Sequence, residues 1–139
     1  MLPNENIIKI LDCNGDLKTI HITKEEFKSV FMAIRKDLRP HHLAMLNLNY
    51  NAPDSVITAT EMAEGMGYAT FAAANLQYGK LADILCSYFN VNPVYKVAIL
   101  VSFCTVEYED GRSELGWKLR PQVKEALREL NLVNDGAKT

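Results

Sequence analysis

The chain has 139 residues, enough for one domain with a real core, and 48% of them are hydrophobic against 23% charged. Its 15 Lys and Arg against 17 Asp and Glu leave a formal charge of −2, which excludes a global attraction to nucleic acid or anionic membrane; either partner would need a local patch. The cysteines, Cys13, Cys86 and Cys104, are odd in number and share no short metal spacing, which argues against a disulfide framework and a zinc site and fits reduced thiols in the cytoplasm.

Residues 7–22 read as a β-hairpin. Ile7-Ile-Lys-Ile-Leu11 and Leu17-Lys-Thr-Ile-His-Ile22 flank Asn14-Gly15, a pair suited to a type I′ turn because both central residues need positive φ. Asp12 to Asp16 is not a calcium loop, since Gly falls at the fourth position and no Glu stands at the twelfth. Thr23-Lys-Glu-Glu26 is a capping box and opens a helix over 24–38, with Phe27, Val30, Phe31, Ile34 and Leu38 on one face. Pro40 interrupts it, and a second helix is expected over 41–50 with Leu43, Leu46 and Tyr50 inward. Asn51-Ala-Pro-Asp54 is a turn cluster, and Val56-Ile57 a very short strand.

Residues 58–89 carry a helix-turn-helix-like unit. Thr58-Ala-Thr-Glu61 is a second capping box, Gly65-Met-Gly67 stops the short helix, and Thr70 caps the next one, which runs to about Phe89. Ala74, Tyr78, Leu81, Leu85 and Tyr88 form its buried stripe; Gly79 inside it marks a bend or close packing against a neighbouring backbone. Residues 94–108 suit a strand, Glu109-Asp-Gly-Arg112 a turn, and Leu115–Leu119 the returning strand. Pro121 suits the first turn of a last helix, with Val123, Ala126, Leu127 and Leu130 on one face, and Asn134–Thr139 reads as a frayed tail. The start, Met1-Leu-Pro-Asn-Glu-Asn6, has no basic signal-peptide region, and Val97-Ala-Ile-Leu-Val101 is too short to span a membrane.

From residue 41 the order is helix, short strand, helix, turn, helix, strand, turn, strand. That order predicts an α+β, winged-helix-like fold, a helix-turn-helix plus a β-hairpin wing, in a single domain over 1–139: a hairpin-helix extension at 5–38 and a core at 41–133. The stretches His42-Leu-Ala-Met-Leu46, Tyr50-Asn-Ala-Pro53, Ile57-Thr-Ala-Thr-Glu-Met-Ala63, Gly67-Tyr68 and Ala74-Asn-Leu-Gln-Tyr-Gly79-Lys-Leu-Ala82 resemble the domain found N-terminal to HNH nuclease domains in bacterial restriction-type proteins. Gly116-Trp-Lys-Leu-Arg-Pro121 and Ala126-Leu-Arg-Glu-Leu-Asn-Leu-Val133 extend the likeness, and Asn75-Leu-Gln-Tyr-Gly79 is its most specific part. The resemblance implies a DNA-associated role, in recognising target or modified DNA. This chain departs from it in having no HNH motif, since no histidine follows residue 42, and in carrying the added segment 5–38.

On the reading helix, Asn75 and Gln77 have the amides that pair with adenine in the major groove, and Lys80 the charge that neutralises a phosphate. Tyr68 and Thr70 would lie near the backbone, and Arg112, Lys118 and Arg120, in or after the wing, would supply further phosphate contacts, with Arg35, Lys36 and Arg39 before the unit. A solvated-surface role accounts for Asn75 and Gln77 equally well. Charge argues against DNA: residues 38–90 hold two cations, Arg39 and Lys80, against Asp54, Glu61, Glu64 and Asp83, and the wing sets Glu107, Glu109, Asp110 and Glu114 against Arg112. The adjacent His41 and His42 point about 100° apart on a helix and suit a cap or surface role better than a metal. Trp117, Tyr50, Tyr78 and Tyr88 suit core packing. Cys86 and Cys104 suit the core too, and no nuclease motif or phosphate loop stands out. The expected function is non-enzymatic binding of double-stranded DNA, with no cofactor, metal or membrane; the alternative is a protein-interaction module binding a partner or a second copy of itself.

Overall fold

The computed structural model describes residues 7–134. The chain runs through β1 (Ile8–Leu11), β2 (Leu17–Ile20), α1 (Lys24–Ala33), α2 (Pro40–Asn51), β3 (Val56–Thr58), α3 (Ala59–Met66), α4 (Phe71–Phe89), β4 (Val101–Glu107), β5 (Ser113–Leu119) and α5 (Pro121–Glu129). It is a mixed α+β fold with two small antiparallel sheets, β1–β2 and β3-β5-β4. No helix among the described residues is long and apolar enough to cross a membrane.

Both capping boxes form. Thr23 accepts the Glu26 N–H at 3.1 Å while the Glu26 carboxylate accepts the Thr23 N–H at 2.9 Å. Thr58 and Glu61 repeat this pair of bonds at the start of α3. Such reciprocal bonds satisfy amides that a helix start otherwise leaves orphaned. Gly67 ends α3 in the left-handed region, at φ 75°, where a side chain is strained. Thr70 caps α4, accepting the Ala73 N–H at 3.3 Å.

One core joins every layer. Phe27, Val30 and Phe31 of α1 are fully buried with Ala74, Tyr78, Leu81 and Leu85 of α4, and the Phe27 ring meets the edge of Phe89 at 5.6 Å. The described part of the extension, residues 7–38, thus packs into the same core as the segment after it. Arg120 fastens it as well, donating to the carbonyls of Ala98 at 2.9 Å and Ile7 at 3.1 Å.

Several expected elements differ. The hairpin loop spans five residues between the paired Leu11 and Leu17, not a two-residue Asn-Gly turn. The Asp12 carboxylate accepts the N–H groups of Asn14 and Asp16, and only Gly15 takes positive φ. α1 tightens into a 3-10 turn at Arg35–Asp37 before reaching residue 38. In α2 the inward residues are His42, Met45, Leu46 and Asn49, whereas Leu43 and Tyr50 are half-buried. Tyr88 is exposed, because the buried face of α4 turns toward Ala82, Cys86 and Phe89 near its end, and it is Phe89 that packs on Phe27. Gly79 does not serve close packing: a Cβ there would meet nothing within 4 Å. It is Gly65 whose Cβ would press on Leu48, at 2.9 Å. The stretch 94–100 is not strand but contains a 3-10 turn, Lys96–Ile99. Asn134 is tied to α2, its N–H donating to Asn47 at 2.8 Å; the rest of the expected tail lies outside the described residues.

α1 and α5 are pinned by the Glu129 carboxylate, which accepts from Lys24 at 2.9 Å and Lys28 at 3.0 Å. These hydrogen bonds hold its pKa down at about 2. A carboxylate depressed in the folded state stabilises the fold above its unfolded pKa and loses that contribution as pH falls through the folded value. Glu129→Gln is therefore expected to lower the urea midpoint at neutral pH, with the difference from the parent shrinking as pH falls from about 4.5 toward about 2. A gap that stays constant across that range would refute the assignment.

Candidate interaction surface

The first half of α4, from Thr70 to Gly79, has no charged residue. Phe71 and Asn75, four apart, lie on one side of the helix and face the β4–β5 hairpin. On the sheet, Leu115 and Trp117 stand on the same face as their register partners Thr105 and Phe103. Between helix and sheet lies an open groove of about 490 Å³ lined by Asn75, Tyr95, Val97, Phe103, Leu115 and Trp117. A cavity of about 380 Å³ extends it past Phe71 toward Ala59 and Thr60.

The groove is apolar and open to solvent. Phe71 and Leu115 are each 58% exposed, Tyr95 is 67% and Phe103 is 37%. Tyr95 and Phe103 meet edge to face at 5.9 Å, so the rim is partly ordered without a partner. Trp117 is the floor, buried at 3% exposure, with its ring 5.0 Å from that of Tyr78. Beneath it Asn49 organises the backbone: its amide accepts from the Tyr78 hydroxyl at 2.8 Å and donates to the carbonyls of Trp117 at 3.1 Å and Ser55 at 2.9 Å. Burial pushes the Tyr78 hydroxyl pKa up, so it stays a donor throughout the accessible range.

The rim is acidic on the hairpin side. Glu107, Glu109 and Asp110 are exposed there, and Glu114 lines the groove extension. Arg112 adds no free positive charge, since Asp110 takes its guanidinium at 2.6 Å and the group lies 5.2 Å from the centre of the Tyr108 ring.

The residues expected to meet DNA do not form one surface. Asn75 lines the groove, and Lys80 is exposed further along α4. Gln77 is half-buried and, two residues from Asn75, projects about 160° away around the helix, so a single groove of DNA would not meet both. Thr70 uses its hydroxyl on the cap of α4. Tyr68 is half-buried: its N–H bonds the Ala63 carbonyl at 2.8 Å, closing the helix end, and its ring packs on the core with the hydroxyl 3.9 Å from the Met45 sulfur. Lys118 is half-buried on the opposite sheet face, beside Asp54, Lys124 and Glu125. Arg120 is buried at 4% exposure, and burial pushes its pKa down to about 10; a guanidinium spent on carbonyls inside the protein makes no phosphate contact.

His42 is a cap: its Nδ1 accepts the Arg39 N–H at 3.2 Å, and burial lowers its pKa. Cys86 is buried, its thiol pushed up to about 11 by desolvation. Cys104 is half-buried rather than core, on the face where Gly116 leaves room for its sulfur.

Phe71, Tyr95, Phe103 and Leu115 were not among the sequence candidates. The signal was the uncharged start of α4 together with the alternation of Leu115, Trp117 and Leu119, but their meeting is a long-range contact. In comparisons with known proteins, no family model, curated protein or solved structure matches this chain.

Asn49→Ala would leave the buried Tyr78 hydroxyl and two carbonyls unsatisfied, an expected loss on the order of 3 kcal/mol in urea unfolding followed by Trp117 emission. Tyr78→Phe, which removes one bond, should cost about 1 kcal/mol. Equal losses for the two would show that the Asn49 carbonyl contacts contribute nothing.

Proposed function

We propose that the chain is a winged-helix-type interaction module that binds a partner protein in the groove between α4 and the β4–β5 hairpin. The scaffold reading rests on the order of elements, with α3 and α4 joined by the Gly67–Thr70 turn and β4–β5 as the wing. The observation that carries the partner reading is the apolar rim of Phe71, Tyr95, Phe103 and Leu115 around Trp117. Aromatic anchors exposed around a pocket, with polar groups outside them, are the anatomy of a protein interface. The acidic hairpin favours a partner segment with apolar anchors on a basic background.

A second reading is that the same module binds duplex DNA in a restriction or defence setting, as the resemblance to the HNH-associated domain implies. The observation in its favour is that α4 presents Asn75 and Lys80 to solvent.

The test uses a phage-displayed random peptide library panned on the whole chain. Selected peptides are expected to combine aromatic or aliphatic residues with Lys or Arg and to shift the emission of Trp117, the only tryptophan. Phe71→Asp and Leu115→Asp should each weaken them about tenfold or more, as interface anchors do. In parallel, labelled duplexes, unmodified and cytosine-methylated, are titrated by fluorescence polarisation at low and moderate salt. Salt-sensitive duplex binding abolished by Asn75→Ala with Lys80→Ala, with no peptide selected, would overturn the protein reading in favour of DNA.

A further inference from the structure

β4 is the outer strand of the sheet β3-β5-β4, and among the described residues no strand pairs with its far side. Its hydrogen-bonding phase follows from two bonds at its ends. The Arg120 N–H donates to Leu100 at 3.0 Å and the Tyr108 N–H to Arg112 at 2.9 Å, and both pairs continue the register in which Ser102 faces Lys118 and Cys104 faces Gly116. Hydrogen-bonded pairs alternate along an antiparallel ladder, so the even-numbered residues of β4 bond β5. Phe103, Thr105 and Glu107 therefore turn their N–H and C=O groups outward, and their side chains share the groove face.

That edge lacks the devices that keep edge strands apart. Residues 102–106, Ser-Phe-Cys-Thr-Val, contain no charge and no proline, and the register with β5 is free of bulges. Charge is confined to the ends and opposite in sign. Glu107, Glu109 and Asp110 stand at the far end, while Lys9 of the N-terminal hairpin borders the cavity beside Ser102 and Phe103 at the near end. An edge that is neutral in the middle and oppositely charged at its ends is complementary to itself when turned antiparallel, as a two-fold interface requires.

We propose that the free edge of β4 pairs antiparallel with the same edge of a second copy of this chain, about a two-fold axis at Cys104, the midpoint of the strand. The pairing sets Phe103 opposite Thr105 of the second copy, a favourable aromatic–β-branched pair, and Glu107 opposite Val101 rather than another acid. It lays the acidic turn of each copy beside Lys9 of the other. A two-fold axis normal to the sheet makes one six-stranded sheet and puts both α4 grooves on the same side. The inference rests on the strand edge and stands whether or not the groove binds a partner.

The test is sedimentation velocity across the micromolar range, together with a protein in which Cys13→Ser and Cys86→Ala leave Cys104 as the only thiol. At this two-fold, Cys104 and its copy form a non-hydrogen-bonded pair with Cα atoms about 4.5 Å apart, within disulfide reach. The expected result is a concentration-dependent dimer that diamide locks through Cys104. Thr105→Lys, which guards the edge and leaves the β5 ladder intact, should give a folded monomer with unchanged Trp117 emission and no cross-link; Thr105→Pro, which removes one outward N–H, should do the same. A monomer at every concentration, or a dimer indifferent to Thr105→Lys, would overturn the proposal. A dimer sensitive to Thr105→Lys that does not cross-link would overturn the Cys104-centred register.

Discussion

The side chain of Asn49 lies wholly inside the core, and both ends of its amide are used. Its oxygen takes the Tyr78 hydroxyl, and its nitrogen reaches the carbonyls of Ser55 and Trp117. Those partners belong to α4, to the turn after α2 and to β5. An amide buried without partners costs several kcal/mol, and satisfied it returns only a modest net gain. Its larger effect is on geometry: only one arrangement of helix, turn and strand satisfies all three bonds. That arrangement sets Trp117 against the Tyr78 ring and fixes the distance between α4 and the hairpin. The groove is open because this polar joint, beneath its floor, holds the two walls apart.

Arg120 does the corresponding work at the other end of β5. Its backbone N–H continues the ladder to Leu100, while its guanidinium bonds Ala98 and Ile7. The start of the N-terminal hairpin, the turn before β4 and the first residue before α5 are thereby joined through one buried cation. Desolvation lowers its pKa, yet the group stays charged at neutral pH. The hairpin consequently sits where Lys9 and Leu17 continue the rim beyond Tyr95.

What the sequence made legible was local. Thr23 with Glu26, Thr58 with Glu61, Thr70 and Gly67 are each read from a few adjacent residues, and their bonds lie within the same few residues. The apolar stripe of α4 was legible as far as Leu85 and failed at Tyr88, because apolar residues at Ala82, Cys86 and Phe89 widen the face, and periodicity does not say which edge of a wide face the core covers. Asn49 and Arg120 were misread or passed over for a single reason. A polar side chain reads as surface until the residues that satisfy it are known, and theirs lie 29 residues away at Tyr78 and 113 away at Ile7. Valine and isoleucine at 97–101 signalled strand, but tertiary burial there is served by a 3-10 turn that brings the chain round to β4. The groove was illegible for a related reason: its rim comes from α4, the segment before β4, and the strands β4 and β5.

Magnitudes separate the two proposed readings of this surface. DNA affinity at physiological salt comes chiefly from phosphates neutralised by Lys and Arg. On the groove side of the molecule, Arg112 is held by Asp110 and Lys96 by Asp83 at 2.9 Å, which leaves Lys80 as the exposed cation of α4. Lys80 and, on the rim, the exposed Lys9 stand against Glu107, Glu109, Asp110 and Glu114, so few phosphates would be neutralised on this side. Covering Phe71, Tyr95 and Leu115, by contrast, removes three large and mostly exposed side chains from water, worth about 1.5–3 kcal/mol each when burial is complete. That sum, about 4.5–9 kcal/mol at complete burial, is a substantial apolar contribution, and a stable complex adds contacts around it to offset the cost of immobilising a partner. The uncharged first half of α4, with Phe71 exposed, supports the proposed protein contact better than a phosphate contact.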